Sequence, residues 1–176
     1  MIYVNLAVHM NRINYFILGS FLVLSTCNEK NIDIIPYDSN HFQEACDITA
    51  EINDGFEILN YQGTKQATSD KKAGTCWNID KPNHNVWFKF LATSTKSISI
   101  IVSLDISRSD SQKRTLLALW EKDGVTELTC SKYINDDDDV ILSYTSLTEG
   151  EWYYFSVDVQ DSDSKGTFFL EIYDYL

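Results

Sequence analysis

The chain is 176 residues long, with a formal charge of -12 at neutral pH, 44% hydrophobic residues and 13% aromatic ones. The charge argues against a nucleic-acid backbone or an anionic lipid surface as partner, because both would repel it. Abundant aromatics with only 2 prolines exclude a disordered or low-complexity spacer and leave a folded domain as the expectation.

The first feature along the chain is the run from Tyr15 to Leu24, preceded by Met10, Asn11 and Arg12. It is well short of the roughly 20 apolar residues that a membrane-crossing helix needs. A positive residue followed by a short apolar stretch is the pattern of a secretory signal. Residues 1–26 are therefore expected to be a signal peptide, with Met10 as an alternative start. The segment closes on Leu24-Ser25-Thr26-Cys27, which resembles the bacterial lipoprotein signal. That resemblance implies acylation of Cys27 and an outer-membrane or cell-surface lipoprotein, with simple secretion or a periplasmic location as the alternative. Each buried CH₂ of an anchor contributes about 0.8 kcal/mol, so more than one acyl chain would hold the protein stably. The polar stretch 27–45 reads as a tether and 46–176 as the domain.

The 4 cysteines are Cys27, Cys46, Cys76 and Cys130. With Cys27 acylated, three remain, so at most one bridge forms and one thiol stays free. Cys46 with Cys76 is the expected disulfide, worth roughly 3 to 4 kcal/mol by chain entropy. The spacings lack a CxxC pair and the histidines fall at no ligand interval, which speaks against zinc.

From Cys46 onward the dominant signal is alternation at period two. Val86, Phe88 and Phe90 share one face of a strand, with Trp87 and Lys89 on the other. Ile98, Ile100, Val102 and Leu104 alternate with serines, and "TLLALWE" is apolar on both faces, as an interior strand would be. "VILSY", "EWYYFSVDV" and "TFFLEIY" complete the strong candidates, and two weaker ones lie around 56–59 and 64–68. Turn-forming segments such as "KPNH", "KDG", "NDDDD" and "DSDSKG" separate them. Eight or nine short strands without an amphipathic helix predict an all-β, antiparallel two-sheet sandwich of jelly-roll type.

The segments "GTCW", "NVWFKF", "LLALWEKDGVTELTC", "LTEGEWYYFSVD" and "GTFFLEIYD" together resemble the bacterial pre-peptidase C-terminal type of jelly-roll domain, in the variant common among secreted and surface proteins of the Bacteroidetes. The resemblance spans 46–174 and implies a non-catalytic accessory or binding domain. The residues agree that chemistry is not the expectation. No G-x-S-x-G, H-E-x-x-H, Walker or G-x-G-x-x-G pattern occurs, and His84 sits alone in a turn.

Two features invite a ligand. Asp136 and Asp138 in the acid run, with Asp158 and Asp161, offer the oxygens that calcium takes, although adjacent aspartates point in different directions and a solvated loop explains them as well. Trp77, Trp152, Tyr154 and Tyr144 are aromatics beyond what one inner face needs, and those facing outward would stack on sugar rings or meet a protein partner. The function expected from sequence is an exported binding module, with no required cofactor, that recognises carbohydrate or a surface protein. The alternative is a structural or folding accessory module of a secretion or adhesion assembly.

Overall fold

A computed structural model describes residues 41–49, 57–64, 67–92, 97–104, 107 and 109–175. Among these lie nine strands: β1 (Cys46–Asp47), β2 (Glu57–Gly63), β3 (Val86–Leu91), β4 (Ser97–Ser103), β5 (Thr115–Glu121), β6 (Glu127–Lys132), β7 (Val140–Tyr144), β8 (Trp152–Val159) and β9 (Thr167–Tyr175). They build a five-stranded sheet in the order β1-β3-β8-β5-β6 and a four-stranded sheet in the order β2-β9-β4-β7. All strand pairs are antiparallel except β1 with β3. The expected two-sheet β-sandwich is the fold.

Alternation decides what lies between the sheets. Val86, Phe88 and Phe90, Leu117 and Leu119, and Tyr153, Phe155 and Val157 meet Ile98, Ile100 and Val102, Val140 and Leu142, and Phe168, Leu170 and Ile172 in one core. Phe88 is directly opposite Phe155 in the β3–β8 register, and their rings stack at 4.8 Å. Such an aromatic pair adds about 0.5–1.5 kcal/mol beyond the area it buries. β5 is buried from Thr115 to Trp120, as an apolar strand with neighbours on both sides should be. Its other face, Leu116, Ala118 and Trp120, joins Ala45, Trp77 and Trp87 in a second core behind the five-stranded sheet.

One strand escapes the sequence reading and one expectation is corrected here. The strand β6 carries no apolar row of its own; every position is half-buried, because it is the edge strand beside β5, and so alternation did not mark it. The weak candidate at 64–68 is not a strand: Thr64, Ala67 and Thr68 lie in the connection after β2. Thr64 is instead part of a buried polar knot, its hydroxyl donating to Gln112 Oε1 at 2.8 Å and accepting from the Gly166 N–H at 3.2 Å. A further point concerns the tether: Ala45 is buried and Phe42 packs on the second core, so the packed domain takes in its last residues.

Gly166 lies so close to the backbone of Asp110, Ser111 and Gln112 that a Cβ would collide with it, whereas Gly150, at φ +80°, faces open space. Gly166→Ala is expected to lower the unfolding free energy by about 2–3 kcal/mol through overpacking. Gly150→Ala should cost about 1 kcal/mol for left-handed backbone alone. Equal losses in urea unfolding would disprove the close crossing at Gly166.

Candidate functional site

The second core has no third sheet to cover it among the described residues, and two segments take that role: 41–45 and the long connection before β3. Trp77 anchors the connection. It is fully buried and its indole N–H donates to the Leu117 carbonyl at 3.2 Å, while Trp120 donates to Ser156 Oγ at 3.0 Å. Phe42 packs edge-on to Trp87, 5.3 Å between centroids, and lies 4.4 Å from Tyr154. Polar contacts fix the same segments. The Asp70 carboxylate accepts the N–H of Phe42 at 2.7 Å and that of Lys71 at 2.8 Å. Asp70 and the buried Asn85 exchange two hydrogen bonds, at 3.0 Å and 2.8 Å. Thr75 gives both its N–H and its hydroxyl to Glu127, each at 2.7 Å. Beside it, Cys76 and Cys130 form a disulfide with Cα atoms 6.1 Å apart.

The connection held in this way forms an open cavity of about 410 Å³, lined by Lys71, Lys72, Thr75, Asn78, Ile79 and Asp80 among others. Lys71 and Asn78 have φ of +61° and +60°, a left-handed backbone that asparagine adopts readily and that costs a lysine about 1–2 kcal/mol; Arg114, outside the cavity, shares it at +45°. The Lys71 ammonium stands 4.2 Å above the Phe42 ring. The cavity thus presents ammonium, hydroxyl, amide and carboxylate groups beside the apolar side of Ile79.

Several expected site residues are placed elsewhere. The disulfide is Cys76–Cys130 and not Cys46–Cys76: Cys46 points into the core between the sheets with Phe88, Cys76 packs on the opposite face, and the five-stranded sheet separates them. Cys46 is itself disulfide-bonded, and no described cysteine is free. The acylation read at Cys27, with the signal peptide, lies outside the described residues. Trp77 is corrected as a stacking candidate, since it is buried as the anchor of the cavity loop. Trp152 is half-buried beneath the Lys89 ammonium, 5.6 Å from its centroid. Tyr154 belongs to the Phe42 cluster, and burial followed by the Asp47 charge raises its pKa. Tyr144 packs at the margin of the main core on the other sheet. The four aromatics form no common platform.

The calcium expectation is corrected as well. Arg114 takes the place between Asp136 and Asp161: its Nε and Nη2 donate to Asp136 at 2.9 and 3.1 Å, and its Nη1 to Asp161 at 2.9 Å. Asp138 accepts from Asn135. Asp158 is buried under the turn before β3 and accepts the N–H groups of Asn83, His84 and Val159 at 2.7–2.8 Å. Among the described residues no three acidic, histidine or cysteine side chains gather where they could hold a metal. The carboxylates present do not fit calcium. His84 is also structural, one ring nitrogen contacting the Ala67 carbonyl at 2.7 Å and the other Ser162 Oγ at 3.2 Å.

None of the residues that line the cavity was singled out in sequence as a site residue. The one available signal was the pair of polar turns, "DKKAGT" and "NIDKPN", on either side of a cysteine and a tryptophan.

No family model matches the chain, and no curated protein matches it. Among solved structures it is similar to a "Carbohydrate-Binding Module CBM36 in complex with calcium and xylotriose", at 11% identity over 66% of this chain and 100% of that one, with a TM-score of 0.33. So low a score carries no argument about this chain.

Cys130→Ser is expected to lower stability by roughly 4 kcal/mol on the chain-entropy estimate for so long a loop, and peptide mapping without reductant should recover 76 linked to 130. A linked 46–76 peptide would refute the pairing. The pH response also follows from the carboxylates. Asp136 is held below the usual carboxylate range by the Arg114 hydrogen bonds, and Asp161 by the Ser164 hydroxyl and then Arg114. Asp123 is pushed down to about 2 by the N–H and hydroxyl of Thr126 and the N–H of Val125. These lowered groups contribute stability above the unfolded carboxylate pKa of about 4, and it is lost as pH falls through their folded values. Asp158, raised by burial, has the opposite sign: its contribution is present in acid and lost as pH rises through its folded value. Melting temperature should therefore fall from about pH 4 to about pH 2, and Arg114→Ala should flatten that fall. An unchanged slope would remove the arginine from the acid response.

Proposed function

We propose that the chain is an exported, non-catalytic binding module that takes a saccharide in the cavity of the 71–80 connection. The observation that carries this reading is a preformed cavity built on strained backbone and held by a tryptophan anchor, a disulfide and a carboxylate clamp. Ligand sites are concave, largely preformed and about 300–1,000 Å³ in volume, and the cavity falls within that range. Its mixture of amide, hydroxyl and charged groups with the Ile79 surface suits a sugar ring, which presents hydroxyls at its rim and C–H groups on its face. Stiff backbone lowers the ordering cost of binding.

A protein partner is the weaker reading. The large exposed apolar residues among those described are Val125, Ile134 and Ile141, in a turn, a loop and a strand. Beside Ile141 the outer face of the four-stranded sheet is mixed: Ile101 stands directly opposite it, while Ser99 bonds Ser143 and Glu171 accepts from Ser103 and Tyr173. Scattered apolar side chains of this kind are ordinary surface.

The disulfide supports an oxidising, extracytoplasmic compartment, in keeping with the signal peptide expected at residues 1–26. Attachment through Cys27 rests on the sequence alone and competes with the bridge of Cys46: with Cys76 paired to Cys130, an acylated Cys27 would leave Cys46 no partner within the chain, and intact mass decides between the two. Acyl mass lost in Cys27→Ala supports the anchor; a soluble product with all cysteines oxidised replaces it with a secreted module. For the ligand, the test is affinity for a panel of oligosaccharides by calorimetry. Asn78→Gly keeps the left-handed backbone and removes the amide, so it should weaken the best ligand about fivefold, the equivalent of one hydrogen bond, without changing the melting temperature. Absence of binding to any saccharide on the panel would refute the proposal.

A further inference from the structure

Cys46 is disulfide-bonded, and its partner follows by elimination. The chain has 4 cysteines; Cys76 and Cys130 take each other, and no described cysteine is free. We infer that a second bridge joins Cys46 to Cys27. That bridge is independent of the saccharide reading, and it decides how the exported chain is held: a sulfur shared with Cys46 cannot carry lipid.

The place of Cys46 in the fold favours a partner on the same chain. Cys46 is 2% exposed and packs in the core between the sheets with Phe88, its register partner on β3. Two bridged cysteines need their Cα atoms within about 4.4–6.8 Å, and the tether between Cys27 and Cys46 leaves ample chain to turn back. Joined through it, Cys27 is presented at an effective concentration on the order of millimolar, which a second molecule does not match at ordinary protein concentrations.

The surrounding strand shows what such a bridge would fasten. β1 is two residues long, lies at the edge of the five-stranded sheet and forms its one parallel strand pair, an arrangement slightly less stable per residue than an antiparallel one. Two further contacts extend it: the Ile48 N–H donates to the Lys89 carbonyl at 2.9 Å, and the Leu91 N–H to Thr49 Oγ1 at 3.0 Å. The loop closed between Cys27 and Cys46 contains the strap 41–45, whose Phe42 and Ala45 cover the second core. Closing it restricts the unfolded chain and so favours the covered state.

Bridge and anchor exclude each other at one atom, because a lipid on Cys27 would be carried by the same sulfur. In the bridge, the two thiols give up two electrons and two protons to an oxidised dithiol carrier of the export compartment, whose own disulfide is reduced as the new S–S bond forms. The consequence is a soluble exported module with two disulfides, cut from its signal peptide on the N-terminal side of Cys27.

The test uses the full chain expressed with its signal peptide. Membrane and soluble fractions are denatured, thiols are blocked with N-ethylmaleimide, and the protein is digested with trypsin without reductant. Trypsin cuts after Lys30, which parts Cys27 from Cys46. The expected result is a soluble monomer with no maleimide on any cysteine and a cross-linked peptide joining Cys27 to Cys46, separated by reduction, beside the one joining Cys76 to Cys130. Cys27→Ser should take up one maleimide, at Cys46, only after denaturation, and should melt roughly 10 °C below the parent, as the loss of one loop closure in a domain of this size requires. Should that variant fail to fold, the map of the parent chain decides alone. Acyl mass on Cys27 with one maleimide on Cys46 would overturn the bridge. A mature chain that begins after Cys27, or a Cys46 link present only in a disulfide-bonded dimer, would overturn it too. Sugar binding is untouched by each of these results and stands or falls by calorimetry.

Discussion

The five-stranded sheet must be covered on both faces, and the rest of the molecule is arranged to meet that demand. β5 is apolar on each side, and Trp87 and Trp120 project away from the sandwich interior. An indole buries on the order of 200 Å², worth several kcal/mol at about 25 cal/mol per Å², so leaving two of them in water would consume much of a small domain's stability. The second sheet covers one face. The other is covered by chain that forms no strand, with a 3-10 turn at Phe42–Glu44, and this is why residues 41–45 and the connection before β3 lie where they do.

Irregular chain laid over an apolar surface carries backbone groups that need partners, and the polar residues nearby supply them. Asp70 and Asn85 bond each other and the strap, Glu127 takes Thr75, and Asp158 gathers the N–H groups of the turn before β3. Trp87 is the exception, its indole N–H buried without a hydrogen-bond partner, with the Phe42 ring edge-on beside it. The cavity is a product of the same arrangement: the connection is tied at Thr75, at the disulfide and at Trp77, and the backbone turns left-handed on either side of those ties, at Lys71 and Asn78. The cavity is held by the same ties that keep the core covered.

The acidic residues illustrate how a shared charge can have quite different fates. Asp136 and Asp161 come close enough to share a cation, as the calcium reading required, and the cation is a guanidinium. Arginine presents donors in a planar fork that fits a carboxylate with two bonds, so one side chain fastens two loops. Asp158 stays buried and pairs with backbone N–H groups. Asp138 closes its own turn.

What was legible in the sequence was whatever repeats along it. Period-two alternation marked β3, β4, β7, β8 and β9 and assigned Val86, Phe88, Phe90, Ile100 and Phe155 to the interior, because a strand's faces are set by its own backbone. The double-sided apolar pattern of 115–120 likewise announced an interior strand. β6 was silent, since an edge strand half in solvent needs no apolar row.

The choice of partner among equivalents is a different kind of information, and only the tertiary structure decided it. Cys76 had two candidate partners, and the sheet standing between it and Cys46 selected Cys130. Trp77 had the composition of a stacking residue, and the uncovered face of β5 made it an anchor. The sequence by itself determined the sandwich and the sidedness of its strands, which follow from local geometry. The disulfide, the arginine between two aspartates and the cavity depend on contacts across 22 to 54 residues of chain, where no local period operates.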